Sequence, residues 1–500
     1  MSVAMDAERE TFESLNPATG EVVGKHPVHD EQAVRAAVER AREAAHWWRA
    51  LGWKERRLRL LNIKGSLTRA LGRVAELIHE ETGKPLADAQ LETIGAITHL
   101  DWAAKHSQKV LGPRSVFPGL VAINQKCTLE YHPLGVVGVI GPWNYPIFTP
   151  MGSIVYALAA GNAVVFKPSE YTPGVGELLA EIFAGVVPEQ PVFQVVTGFG
   201  QTGAALAGAG VGKLAFTGSA ATARKVMAAC AESLTPIVAE CGGKDAFIVD
   251  ADADVEAASD AALWGAMSNA GQTCIGVERV YVHDAVYDEF VGKLTEKARA
   301  LRPGEDRAAS YGPITMPRQL DIIERHINDA LEKGGRAVVG GAESVRRPFV
   351  EPVVLVDVPD ESAAICEETF GPTITVTRVA DMDEAVTKAN ATTYGLASTI
   401  FSGSRSRAMA AARRLRTGMT SINAVMAYAT VPGLPFGGVG DSGFGRIHGA
   451  DGLREFTRAK AITRQRFAPP VDLTTFKRED TALARALQLV TMLHAKHYKR

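Results

Sequence analysis

Between Val136 and Ala239 one unit recurs: a short apolar or β-branched run, followed by a longer stretch with helical spacing. The runs are Val136 to Ile140, Ala163 to Phe166, Phe193 to Val196, Lys213 to Thr217 and Pro236 to Ala239. Strands separated by helices cannot close as tight hairpins, so they pair in parallel with their crossover helices on the sheet faces. The pattern resumes after Gly242 with Phe247 to Val249, Arg279 to Val282, Ala337 to Val339, Thr373 to Val376, Ser398 to Phe401 and Thr420 to Ile422. It predicts a second α/β lobe. Upstream, residues 30 to 110 are dense in Ala, Leu, Arg and Glu, with few breakers other than Gly52, Gly65, Gly72, Gly83 and Pro85, which predicts several successive helices. A chain of 500 residues, 46% hydrophobic, has material for two or three packed domains rather than one core.

A formal net charge of −2 leaves no basic footprint for nucleic acid. The cysteines (127, 230, 241, 274, 366) have no regular spacing, and neither CxxC nor HExxH occurs, which argues against a disulfide framework and against a metal site. No apolar stretch marks a secretion signal, and no uninterrupted apolar run reaches membrane-spanning length, so a cytoplasmic location is expected.

Chemistry concentrates at two places in the second half of this pattern. A lone cysteine is by default a small buried hydrophobe. Cys274, however, lies among Ser268, Asn269, Gly271, Gln272 and Thr273, where a core cysteine would be flanked by Val, Leu and Ile. Glu240 follows the apolar run Pro-Ile-Val-Ala and precedes Gly242 and Gly243, as a side chain aimed from a strand end into a cleft would. A thiol attacks carbonyl carbon well only as a thiolate, so a working cysteine needs a base and small neighbours that admit substrate.

Seven segments carry a resemblance: Gly141-Pro-Trp-Asn144-Tyr-Pro146, Lys167-Pro-Ser-Glu170, Phe216-Thr-Gly-Ser219, Glu240-Cys-Gly-Gly-Lys244, Asn269 to Cys274, Glu368-Thr-Phe-Gly-Pro372, and Pro435-Phe-Gly-Gly438 with Ser442-Gly443. In this order they resemble the NAD(P)-dependent, non-acylating members of the aldehyde dehydrogenase superfamily, over residues 12 to 468. The fold implied is α/β: two Rossmann-like lobes with a small β oligomerisation arm. Residues 1–114 and 136–240 would form the NAD(P)-binding domain, 241–441 the catalytic domain with its cysteine, 115–135 and 442–468 the arm, and 469–500 a tail, helical in part. Ser115 to His132 alternates like a hairpin and Phe456 to Phe467 like a strand. The resemblance makes them an arm that completes a neighbour's sheet, hence a homodimer or a dimer of dimers; a plain surface hairpin is the alternative.

The resemblance also assigns roles. Cys274 would add to an aldehyde, with Asn144 and the Cys274 backbone N–H meeting the oxyanion. After hydride transfer, Glu240 would activate the water that hydrolyses the thioester. Relatives that pass the acyl group to coenzyme A lack a carboxylate at the matching place, so a free acid is the expected product. The cofactor set comprises Trp143, Lys167, Ser169, Glu170, Thr217, Gly218, Ser219, Glu368 and Phe370. Lys167 and Glu170 would take the adenosine ribose, the Ser219 turn and the following helix the pyrophosphate, and Glu368 with Phe370 the nicotinamide side. A carboxylate at Glu170 favours NAD; Lys167 and Arg224 keep NADP open. Gly198-Phe-Gly200-Gln-Thr-Gly203 fits a classical dinucleotide pattern, but Val211 to Ala231 contains no Asp or Glu to hold a ribose, so it reads as a turn or a peripheral wall. Two departures from the family pattern are Ala223, where a second glycine is usual, and Cys241, where Leu is usual.

For the substrate, Tyr145, Phe148, Thr149 and Gly152 fall on one face of a helix, and the resemblance puts that face on the aldehyde tunnel, with Gly152 leaving space. No Arg or Lys lies on the stripe to hold a second carboxylate, which favours an aromatic or medium-to-long aliphatic aldehyde. A succinate-semialdehyde dehydrogenase, or a non-catalytic protein of the same fold, is the alternative. In the tail, Leu483, Leu487, Val490 and His494 share one side, with Lys496, Lys499 and Arg500 beyond; a helix packed on protein is expected there, with membrane contact as the weaker reading. His494 and His497 lack a third ligand for a metal.

Overall fold

The structure is a computed structural model that describes residues 10–469 and 475–495. Of the features read from sequence, His497, Lys496, Lys499 and Arg500 lie outside the described residues. The chain divides into two compact units, Met1–Leu111 with His132–Arg458, and Gly112–Tyr131 with Ala459–Arg500.

The larger unit holds both α/β lobes. Its first sheet has six strands in the order Gly443–Phe444, Ile237–Glu240, Lys213–Thr217, Val136–Ile140, Ala163–Lys167 and Phe193–Val195. The last five pair in parallel, with Val136–Ile140 held between Lys213–Thr217 and Ala163–Lys167. Strands enclosed on both faces need continuous apolar sequence, which is what the five runs supply. The crossover helix Phe148–Ala160 is buried around nearly its whole circumference, consistent with its apolar sequence from Pro150 to Ala160.

The second sheet has seven strands in the order Arg336–Val339, Val353–Val356, Thr373–Val379, Val277–His283, Asp245–Val249, Ala397–Phe401 and Met419–Ile422. All neighbours are parallel except the edge strand Arg336–Val339, which runs antiparallel to Val353–Val356. Phe247, Val280, Val282, Phe290, Leu294 and Ile323 form its core on one side. The strand Val353–Val356 is an addition to the expected series. So is an N-terminal hairpin, Thr11–Leu15 with Val22–Pro27, whose polar sequence carries little alternation. Four helices, Glu31–Ala50, Gly52–Arg69, Leu71–Thr82 and Leu86–Leu111, fill the expected helical region. Gly65 and Gly72 lie inside two of them, because the surrounding helix formers outweigh one glycine each.

Most of the smaller unit's strand residues belong to a three-stranded sheet in the order Thr457–Gln465, Gln125–Pro133 and Arg114–Val116, of which Thr457, Arg458, His132 and Pro133 fall in the larger unit. The tail forms a helix, Asp480–His494. The segment 442–458, placed with this arm from sequence, belongs instead to the larger unit. Gly443 pairs with Glu240 across the sheet edge, Phe436 bridges Ile447, and the helix Gly449–Glu455 packs on Leu86–Leu111 and Phe148–Ala160. Sheet pairing and apolar burial at Ile447, Leu453 and Phe456 hold it there. Among the described residues, no helix is long and apolar enough to cross a membrane.

Candidate functional site

Cys274 emerges from the helix Val255–Met267 through the short turn Ser268–Gly271. Asn269, Ala270 and Gly271 all have positive φ, at 52°, 56° and 72°. A Cβ on Gly271 would lie 2.0 Å from the Gly371 carbonyl oxygen, so only glycine fits. Two consecutive non-glycine residues in the left-handed region cost free energy and persist only when their surroundings over-determine them. Here side-chain amides do so. Asn269 Nδ2 donates to the carbonyls of Asn144 and Gln272, both at 3.2 Å, and Gln272 Nε2 donates to the carbonyls of Asn269 at 2.9 Å and Pro313 at 3.1 Å. Thr315 N in turn donates to Gln272 Oε1 at 2.8 Å.

Asn144 follows the strand Val136–Ile140 and is buried, and its Nδ2 donates to the Gln272 carbonyl at 2.8 Å. An amide nitrogen carries two protons, so a second N–H is left for another acceptor. Lys84 fixes the segment from below: Nζ donates to Glu92 Oε2 at 2.6 Å and to the Asn144 carbonyl at 2.7 Å, and sits 4.2 Å from the Tyr145 ring centroid. Glu92 Oε1 accepts from the backbone N–H groups of Ile147 and Phe148, at 2.9 and 3.2 Å. This buried ion pair is invisible in the sequence, where Lys84 stands in a Gly-Lys-Pro turn that marks only a helix break.

A cavity of about 1020 Å³ opens onto Cys274 and Asn144. Trp143, Asn144, Thr149, Lys167, Ser169, Glu170, Thr217, Gly218, Ser219, Cys274, Glu368 and Phe370 all line it. Every residue expected to hold cofactor is therefore brought to one space. The donor set suits a dinucleotide. Ser219 caps the helix Ala220–Ala231, accepting from Thr222 N, so the free N–H groups of that first turn offer a pyrophosphate site. Lys167 Nζ lies 3.4 Å from Glu170 Oε2 at the end of the neighbouring strand; burial lowers the Lys167 pKa, against the pull of Glu170. Gly200 and Gly203, read from sequence as part of a turn or a peripheral wall, also line the cavity.

Phe370 has φ +52° and stands edge-on to Trp143, with ring centroids 5.6 Å apart. A second buried ion pair, Lys244 with Glu278, holds this loop, the Glu278 carboxylate accepting from the backbone N–H groups of Thr369 and Phe370. Glu368 accepts from Gly243 N at 3.0 Å; burial, with Glu278 adding, pushes its carboxyl up to about 8. Burial, with the nearby carboxylates of Glu368, Asp245 and Glu240, likewise pushes the Cys274 thiol well above its ordinary value. That direction opposes formation of the thiolate, so the nucleophile needs a proton acceptor.

Glu240 ends the strand Ile237–Glu240, but its carboxylate does not line the cavity. It faces Gly437, where a Cβ would lie 2.8 Å from Oε1, and neither oxygen has a hydrogen-bond partner among the described residues. Burial raises its pKa well above the ordinary carboxylate value, with Arg446 opposing. Cys241 lines the cavity beside it, a buried thiol whose pKa burial pushes up to about 12.

The expected substrate face is divided. Thr149 lines the cavity, Tyr145 meets Thr273 Oγ1 through its hydroxyl at 2.9 Å, and Phe148 packs edge-on against His99 at 5.4 Å. Gly152 does not leave open space. A Cβ there would lie 2.5 Å from His448 Nε2 and 3.0 Å from Ile447 Cδ1. The volume is filled because residues 442–458 fold back onto this helix. His448 was not singled out from sequence, since nothing local marks a histidine after Arg-Ile as buried.

The sequence profile of the aldehyde dehydrogenase family matches residues 4–462. The chain belongs to this family and is an NAD(P)-dependent oxidoreductase acting on the aldehyde group. It is 39% identical to a 4,4'-diapolycopene aldehyde oxidase of Methylomonas, over 89% of this chain and 84% of that one. It is 36% identical to an NADP-dependent succinate-semialdehyde dehydrogenase of Escherichia coli, over 90% and 94%. The crystal structure of lactaldehyde dehydrogenase from Escherichia coli superposes with a TM-score of 0.88 at 31% identity, covering 92% of this chain and 96% of that one.

Proposed function

We propose that the protein oxidises a neutral aromatic or medium-to-long aliphatic aldehyde to its carboxylic acid. The observation that carries this reading is the meeting of Cys274 and Asn144 on one cavity with the dinucleotide-binding set. Lys167, Glu170 and Ser219 bind the adenosine and phosphate portion, while Glu368, Phe370 and Trp143 orient the nicotinamide end. The bound dinucleotide supplies a cationic ring that accepts a hydride. Cys274 gives up its proton to water in the cavity and adds as thiolate to the aldehyde carbon, forming a thiohemiacetal whose oxygen is met by the Asn144 amide. Loss of hydride from that carbon leaves a thioester on Cys274. Glu240 turns from Gly437 toward the site, takes a proton from water, and the hydroxide releases the acid and restores the thiol.

The apolar preference is supported by the stripe Tyr145, Phe148, Thr149 and Gly152, which carries no Arg or Lys and of which Thr149 lines the cavity. The second reading, a succinate-semialdehyde dehydrogenase, draws on the Escherichia coli relative of that name. That relative also supports NADP beside NAD. The arm's three-stranded sheet, with Phe117, Leu120 and Val121 exposed, supports a homodimer or dimer of dimers. A cytoplasmic location agrees with the cysteine pattern.

The test follows NADH or NADPH formation with benzaldehyde, hexanal, a long-chain aldehyde and succinate semialdehyde, using the wild type, Cys274→Ala and Glu240→Gln. Turnover lost in both variants, with a single burst of reduced cofactor from Glu240→Gln, is expected. Preference for succinate semialdehyde would favour the second reading. No turnover by the wild type despite cofactor binding would leave the non-catalytic alternative.

A further inference from the structure

The helix Asp480–His494 lies beyond residue 462, where the match to the family profile ends. None of its fifteen residues is buried. Leu483, Leu487, Leu489 and Val490 are each 41–59% exposed, and Ala486 and Leu493 fall on the same side at helical spacing. Thr481, Arg485 and Gln488 take the opposite side. Single exposed apolar residues are ordinary on a protein, but a continuous stripe about three turns long marks a surface that something covers. A helix of this length is also marginal in water unless its apolar face packs.

Charge along the segment says what the cover is. From Thr481 to Arg500 there are four Arg or Lys (Arg485, Lys496, Lys499 and Arg500) and no Asp or Glu, in a chain whose 56 acidic residues outnumber its 54 basic ones. Lys477 and Arg478 precede the helix. The two acids beside them, Glu479 and Asp480, stand at the N-cap and in the first turn, where the helix dipole favours negative charge. An uncharged stripe of Leu, Val and Ala with cations beyond both ends is complementary to a surface that is apolar within and negative at its boundary. An anionic bilayer has that layering. Pairing of two such tails would set one net positive segment against another.

We infer that the face of Leu483, Leu487 and Val490, with the cations around it, is a docking surface for an anionic lipid bilayer. Fifteen residues rise about 22 Å, short of the roughly 30 Å of a hydrocarbon core, so the helix lies in the plane of the headgroups and does not cross. One consequence rests on the function proposed above: for a long aliphatic aldehyde, this surface holds the enzyme beside the phase in which its substrate dissolves.

The experiment floats the full-length protein with vesicles of phosphatidylcholine alone and of phosphatidylcholine with about a third phosphatidylglycerol. The wild type is expected with the anionic vesicles about tenfold over the neutral ones, each cation near the surface adding to the attraction. Salt at about 1 M shortens the screening length to about 3 Å and should release part of it. Leu487→Asp with Val490→Asp should abolish flotation, and Arg485→Gln with Lys496→Gln and Lys499→Gln should remove the preference for anionic lipid. Both variants should oxidise hexanal like the wild type, because none of these residues belongs to the catalytic or cofactor set, while the apolar-face variant loses activity on hexadecanal held in anionic vesicles. Flotation needs no turnover, so it reads the surface even if the catalytic reading fails. A wild type that stays soluble or floats equally with both vesicles, or an apolar-face variant that still floats, would overturn the inference. So would an apolar-face variant whose only change is a smaller oligomer by light scattering, which would give the face to a second copy of this chain.

Discussion

Removing the Lys84 ammonium tests how Asn144 is held. Lys84 is 1% exposed and its carboxylate partner Glu92 has a fully buried side chain, so neither charge has solvent to fall back on. Among the described residues, Lys84→Met leaves the Glu92 carboxylate with only the two backbone N–H groups of Ile147 and Phe148, and leaves the Asn144 carbonyl with only Asn269 Nδ2. Breaking a buried pair by deleting one partner costs about 3–5 kcal/mol. Replacing both partners by apolar residues of similar volume is often neutral, so Lys84→Met with Glu92→Leu should recover most of that loss. Activity should not recover with it. The second N–H of Asn144 keeps its aim only while the carbonyl end of the residue is anchored, and complete loss of an oxyanion donor costs about 10²–10³ in kcat. We expect the single and double variants both to fall about tenfold or more in kcat, with dinucleotide affinity unchanged because the cofactor-binding residues are untouched. Urea denaturation followed by tryptophan fluorescence, steady-state kinetics and dinucleotide titration read the three quantities. A Lys84→Met protein within about 1 kcal/mol of the wild type, or a double variant with restored kcat, would refute the anchoring role.

Three further outcomes follow from the geometry. Asn144→Ala should lower kcat about 10²–10³-fold while the KM for the dinucleotide stays near the wild-type value, measured by steady-state kinetics. Glu240→Gln should raise the melting temperature at neutral and alkaline pH but not in acid. The folded-state pKa of Glu240 is raised by burial, so the folded protein binds more protons than the unfolded chain above the ordinary carboxylate pKa. The stability associated with the protonated acid is therefore complete below that ordinary value and lost as pH rises toward the folded pKa. A melting-temperature difference that does not change with pH would contradict this. Glu170→Gln removes the carboxylate beside Lys167 and should shift the ratio of kcat/KM values toward NADP about tenfold, read with both dinucleotides on one aldehyde.

Much of the architecture was legible in the chain because a parallel strand buried on both faces has to be apolar along its length. Val136 to Ile140 and Lys213 to Thr217 emerge as strands with unchanged limits, and the two series after Val136 become two sheets. Cys274 stood out because polar and small residues surround it where apolar neighbours would be expected; Asn144 and the dinucleotide set came with the family resemblance, and these residues converge on one cavity. What local sequence does not carry is contact between distant segments. Lys84 and Glu92 are ordinary surface residues by composition, and only tertiary burial turns them into the clasp on Asn144. The same holds for Gly152, read as open space until the fold sets His448 against it. The segment 442–458 is assigned to the larger unit by pairing between Gly443 and Glu240, a hydrogen-bond choice made at a sheet edge and unrelated to the residues' own propensities. Thus the sequence by itself determined which strands form and which residue types can do chemistry, since both follow from local hydrophobicity and functional groups. The tertiary structure alone decided which charges are buried together, which wall closes on Gly152 and where Glu240 rests, because desolvation and packing depend on neighbours hundreds of residues away.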